Sequence, residues 1–119
     1  MYTVYLADDE QLIREGLAET IPWESLRMRL VGTAEDGRHA LRGIREHKPD
    51  IVLTDIRMPY LDGLELIGKI REVHPSCRVV IISGHGEFTY AQSAIQLGVS
   101  DFILKPVDVT SLCRTLGKL

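Results

Sequence analysis

Five short runs rich in Val, Ile and Leu punctuate the chain, at Thr3 to Ala7, Leu30 to Ala34, Ile51 to Thr54, Val79 to Ile82 and Phe102 to Leu104. They are apolar without strict alternation, the pattern of a strand covered on both faces. Between them, apolar positions recur at helical spacing: Ile13, Leu17 and Ile21; Ala40, Leu41 and Ile44; Leu66, Ile67, Ile70 and Val73; Ala91, Ala94 and Ile95; Val109, Leu112, Cys113 and Leu116. Strand and helix thus alternate five times, which predicts right-handed crossovers and an α/β fold with a doubly wound, five-stranded parallel sheet and five helices. The common strand order for such a sheet is 2-1-3-4-5. Asp36, Asp62 and Asp108 stand at expected helix starts, Asp62 with Glu65 as a capping-box partner. Gly98 suits a helix C-terminus, and Pro22-Trp23 should end the first helix because proline cannot continue the backbone ladder.

With 119 residues, 45% hydrophobic and 26% charged, the chain is sized for one domain with its own core and lies far from the disordered regime. A formal net charge of -3 argues against direct nucleic-acid binding, where a basic stripe normally supplies most of the affinity. The apolar runs are too short to cross a membrane, and Met1 to Tyr5 has no signal-peptide pattern. Cys77 and Cys113 form neither a disulfide framework nor a metal pair, so a reducing, cytoplasmic setting is expected. His39, His47 and His74 lack metal-like spacing and are expected to be solvated.

Four polar signals follow these runs: Asp8-Asp9-Glu10, Asp55, Ser83-Gly84 and Lys105-Pro106. In a parallel sheet they gather at the carboxyl ends of the strands, where open α/β sheets bind ligands. With the first and third strands adjacent, Asp8 and Asp9 face Asp55. Like charges so close raise one another's pKa unless a cation compensates, and a hard divalent ion resolves the conflict; magnesium, with its preference for oxygen ligands, is the natural choice. A carboxylate can accept a phosphoryl group as an aspartyl phosphate. Asp55, after the central strand, is the candidate nucleophile, with Lys105 and Ser83 as donors to phosphoryl oxygens. Taken singly, each residue reads as a cap, a bend or a solvated charge. Four such signals at successive strand ends do not.

At these residues the sequence resembles the CheY-like receiver domain of two-component response regulators, a flavodoxin-like fold, over essentially the whole chain. The pieces that carry the resemblance are Asp8-Asp9-Glu10, Asp55-Ile56-Arg57-Met58-Pro59 with Asp62-Gly63, Ile82-Ser83-Gly84 and Phe102-Ile103-Leu104-Lys105-Pro106. The resemblance implies that Asp55 accepts its phosphoryl group from a sensor histidine kinase. It also implies that Asp8, Asp9, Asp55 and the Arg57 backbone carbonyl hold the magnesium, that Ser83 and Phe102 are switch residues, and that the Lys105-Pro106 bond is cis. Arg57 and His85 fall where the family tunes the lifetime of the phosphorylated state. The surface of the fourth helix, fifth strand and fifth helix is the implied output and homodimer face. Pro22-Trp23-Glu24 and Ser83-Gly84-His85-Gly86-Glu87-Phe88 resemble receivers attached to AraC-type helix-turn-helix domains. Residues 1–119 are then the receiver alone, from a transcriptional regulator that meets DNA through a C-terminal output domain absent from this chain, or else a stand-alone phosphorelay receiver.

Two other classes compete. A magnesium-dependent phosphohydrolase with an aspartyl nucleophile expects an acid two residues after it, where Arg57 stands. A flavodoxin-like cofactor binder needs a phosphate-cradling loop after the first strand, and Asp8-Asp9-Glu10 would repel that phosphate. No P-loop is present.

Overall fold

The computed structural model describes residues 1–84 and 88–119. Its strands are β1 (Tyr2–Ala7), β2 (Met28–Ala34), β3 (Ile51–Asp55), β4 (Arg78–Ser83) and β5 (Asp101–Leu104). The helices are α1 (Gln11–Thr20), α2 (Gly37–His47), α3 (Gly63–Val73), α4 (Phe88–Gln96) and α5 (Val109–Gly117), with a 3-10 turn at Glu24–Leu26. All pairings are parallel, in the expected order β2-β1-β3-β4-β5. No helix among the described residues is long and apolar enough to cross a membrane.

Alternate residues of each central strand face opposite ways and both faces are covered, so the runs are apolar throughout. Tyr5, Ala7, Val52, Val79 and Ile81 pack under α2, α3 and α4 with Ala40, Ile44, Leu66, Ile67, Ile70 and Ala94. Val4, Leu6, Ile51, Leu53, Val80 and Ile82 pack under α1 and α5 with Leu17, Ile21, Leu112 and Leu116. The caps form as expected: Asp36 accepts from His39 N–H, Asp108 from Thr110 N–H, and Asp62 and Glu65 make a full capping box. Gly98 takes the left-handed conformation at φ 74° just past α4, and α1 ends before Pro22. The Lys105-Pro106 bond is cis.

The solvated reading holds for His39 and His47, which are exposed, and needs correction for His74. The half-buried His74 ring meets the Pro49 carbonyl through Nε2 at 2.8 Å. His39, though exposed, pairs with Asp36 at 2.7 Å, and the exposed His47 lies 6.3 Å from the Tyr5 ring between centroids. The His74 partner, Pro49, stands 25 positions away, a pairing that spacing along the chain does not bring to view.

One glycine ties α3 to the end of β3. A Cβ at Gly63 would come within 2.3 Å of the Asp55 carbonyl oxygen and 2.8 Å of Ile56 Cα, whereas one at Gly68, within α3, meets nothing within 4 Å. Gly63→Ala should therefore cost about 2–4 kcal/mol through forced backbone displacement. Gly68→Ala should gain roughly 0.5–1 kcal/mol through helix propensity. Urea denaturation of both variants checks the contrast.

Candidate functional site

The carboxyl ends of β1, β3, β4 and β5 bring the predicted residues together. Asp55 is the last residue of β3 and is buried. Its Oδ1 accepts the Ile56 N–H at 2.8 Å, while Oδ2 accepts from Lys105 Nζ at 3.1 Å. Asp8 follows β1, fully buried; its Oδ1 accepts the Glu10 N–H at 2.9 Å. Asp8 Oδ2 has no hydrogen-bond partner among the described residues and lies 3.5 Å from Lys105 Nζ. Asp9 and Glu10 are exposed, and carboxylate oxygens of Asp8, Asp9, Glu10 and Asp55 all lie within 4.8 Å of one another.

Lys105 follows β5. Its backbone N–H donates to the Ser83 carbonyl at 2.7 Å, which fixes the end of β5 against the end of β4. Ser83 is the last residue of β4, and its fully buried Oγ has no hydrogen-bond partner among the described residues. Phe102 is half-buried and packs on the side of the sheet that carries α2, α3 and α4. Arg57 is exposed in the loop after Asp55, and His85 lies outside the described residues.

Burial raises the Asp55 pKa to about 7, helped by the charge of Asp8 and opposed by Lys105. Asp8 is likewise raised by burial, against the hydrogen bond from Glu10 N–H and the charge of Lys105. Burial works to lower the Lys105 pKa, yet its hydrogen bonds to Glu10 and Asp55 more than offset that, so the ammonium stays protonated beyond its usual range. The site is a cluster of crowded carboxylates at the carboxyl end of the sheet with the Lys105 ammonium among them. An all-oxygen donor set with an orphaned buried carboxylate oxygen fits a hard divalent cation such as magnesium. The orphaned Ser83 hydroxyl suits an arriving oxygen acceptor.

Sequence reasoning missed two contributors. Glu10 Oε1 accepts from Lys105 Nζ at 2.8 Å, a contact whose only sequence signal is adjacency to Asp8-Asp9. Arg14 Nη1 donates to the Asp8 backbone carbonyl at 2.8 Å and steadies the acidic turn.

The family model of the response regulator receiver domain matches residues 4–116. Over its 119 residues the chain is 44% identical to the uncharacterized transcriptional regulatory protein YesN of Bacillus subtilis, covering all of this chain and 32% of that protein. It is also 44% identical to the transcriptional regulatory protein HptR of Staphylococcus aureus, again over all of this chain and 46% of that protein. The chain thus spans less than half the length of these two relatives. Among solved structures it is similar to the receiver domain of AraT, a response regulator from Geobacillus stearothermophilus, with a TM-score of 0.91 and 41% identity over 98% of this chain and 93% of that one. A two component transcriptional regulator AraC from Clostridium phytofermentans gives a TM-score of 0.90 and 33% identity, covering 99% and 92%. The chain belongs to the response regulator receiver family, a family of signalling domains.

The raised Asp55 pKa has a consequence for stability. With the folded pKa near 7 and the ordinary carboxyl value at 3.8, the unfolded chain loses this proton first as pH rises. The contribution of Asp55 to folding stability therefore falls from about pH 4 to about pH 7 and stays lower above that. Without magnesium, Asp55→Asn should be more stable than the parent at pH 7.5 by roughly 2–4 kcal/mol, the gap closing toward pH 4. Denaturation in chelator across that range measures it.

Proposed function

We propose that this receiver domain accepts a phosphoryl group on Asp55 from the phosphohistidine of a sensor histidine kinase, in the cytoplasm. In the longer protein, as the names of its relatives suggest, the modification would regulate transcription through a DNA-binding output domain. The observation that carries this reading is the buried strand-end carboxylate whose Oδ2 meets Lys105, beside an Asp8 Oδ2 that has no hydrogen-bond partner among the described residues.

The two oxygens of Asp55 divide the work. Oδ1, held by the Ile56 N–H, becomes the carbonyl of the acyl phosphate, and Oδ2 attacks phosphorus. The O–P bond forms as the P–N bond to the donor imidazole breaks, and its electron pair stays on the ring nitrogen, which takes up a proton. Lys105 pairs with one phosphoryl oxygen as a compact charge, and the Ser83 hydroxyl donates to another. Asp8, Asp9, Asp55 and the Arg57 backbone carbonyl would hold magnesium, which when bound would neutralise charge on the phosphoryl oxygens. Because the acceptor is the protein's own side chain, the domain is a signalling switch that promotes only its own phosphorylation and dephosphorylation. Ser83 and Phe102 relay the change to the α4-β5-α5 face, while Arg57 and His85 govern the entry of hydrolytic water.

Incubated with magnesium and acetyl phosphate, the protein should gain one phosphoryl group, read by intact mass, and Asp55→Asn should gain none. Arg57→Ala or His85→Ala should change the decay rate of that adduct. Sustained turnover of phosphate esters would instead favour a phosphohydrolase.

The implied dimer face has apolar surface to bury: Ile95 on α4 is 72% exposed and Leu104 on β5 is 48% exposed. Sedimentation velocity should show a monomer-to-dimer shift on adding beryllofluoride and magnesium, reduced in Ile95→Ser. An unchanged sedimentation coefficient would remove this face from the output.

A further inference from the structure

Lys105 is held from two sides, and the shorter bond is not to Asp55. Its Nζ lies 2.8 Å from Glu10 Oε1 and 3.1 Å from Asp55 Oδ2. Glu10 has no part in the phosphoryl chemistry described above, yet it takes the closer hydrogen bond of the one ammonium that chemistry needs. The two partners differ in freedom. Asp55 is buried and tied to the Ile56 N–H, whereas the Glu10 side chain is 58% exposed and sits at the start of α1 without a capping hydrogen bond. Water can solvate Glu10 as soon as the lysine leaves. The Lys105 side chain, at 15% exposure, has far less access to water and must keep an anionic partner.

When Asp55 Oδ2 is esterified, it stops being an anionic acceptor, and phosphoryl oxygens arrive within reach of the same ammonium. Glu10 then repels the incoming charge and competes for the cation. Resting on the receiver reading, we propose that Glu10 is a release latch: it parks Lys105 in the unmodified site and surrenders it to the phosphoryl group. The strength of the Glu10–Lys105 pair thereby sets the balance between the two states. Glu10 also fixes the position of the lysine, an effect of opposite sign. Replacement by Gln separates the two, because it keeps an oxygen acceptor and removes only the charge.

Beryllofluoride, which occupies the place of the phosphoryl group, is titrated at saturating magnesium into the parent chain, Glu10→Gln, Lys105→Gln and the double variant, with binding read by 19F NMR. Glu10→Gln should bind about three- to tenfold tighter than the parent, and the same change in the Lys105→Gln background should bring no gain. Glu10→Asp, whose shorter side chain weakens the pair while keeping the charge, should fall between the parent and Gln. In chelator, 15N NMR should detect a slowly exchanging Lys105 ammonium in the parent and lose it in Glu10→Gln, a readout independent of the phosphoryl chemistry. Equal or weaker beryllofluoride binding by Glu10→Gln, or an equal gain without the lysine, overturns the latch. An Asp55-dependent adduct indifferent to Glu10 removes the latch alone; an adduct that survives Asp55→Asn overturns the receiver reading and the latch with it.

Discussion

The arrangement at the carboxyl end of the sheet depends on one unfavourable placement: the Asp8 and Asp55 carboxylates are buried side by side, with the Lys105 ammonium set against both. Taking charges out of water costs several kcal/mol per ion, and one lysine cannot neutralise two buried carboxylates together with Glu10. The site therefore holds an excess of negative charge that an arriving cation would relieve. The raised Asp55 pKa and the Asp8 oxygen left without a hydrogen bond among the described residues are two expressions of that excess. A structure optimised for stability alone would have apolar side chains here.

Backbone rigidity keeps the carboxylates from moving apart. Asp8 is pinned through Oδ1 by the Glu10 N–H and through its carbonyl by Arg14. Asp55 lies at the end of a strand buried along its whole length, with the Ile56 N–H on its Oδ1 and Gly63 close against its carbonyl. On the other side of the sheet, Arg71 of α3 donates to the carbonyls of Leu97 and Gly98 past the end of α4, and to those of Pro75 and Cys77. The guanidinium thus satisfies carbonyls at a helix C-terminus, where a cation is favoured. It fastens the end of α4 to α3.

Much of this was legible in the sequence because it is local. The central strands announce themselves as apolar runs since both faces are covered, and aspartates cap helices through backbone groups two or three residues away. The edge strands were less legible: β2 begins at Met28, ahead of the apolar run, because exposed Arg29 interrupts the pattern without interrupting the ladder. Strand ends were blurred for a related reason. Asp55 and Ser83 still pair in the sheet, and pairing belongs to the backbone whatever side chain stands there. Contacts of long side chains were not legible at all. Glu10 meets Lys105 across 95 positions, Arg71 reaches carbonyls 26 and 27 residues on, and Tyr5 fills the slot left by Gly32 and Gly43. Such pairings follow from which loops lie near each other, and no periodicity encodes that.

Sheet register also decides which helices lie over each strand-end side chain. In β4 and β5, Ile81 pairs with Phe102 and Ser83 with Leu104. Residues two apart on a strand share a face, so the Ser83 hydroxyl lies on the same face as Ile81 and Phe102, both part of the cluster under α2, α3 and α4. The intervening rung, Ile82 with Ile103, belongs to the opposite cluster under α1 and α5. Parity of the strands thus sets the Ser83 side chain toward the cluster under α2, α3 and α4 and away from the one under α1 and α5.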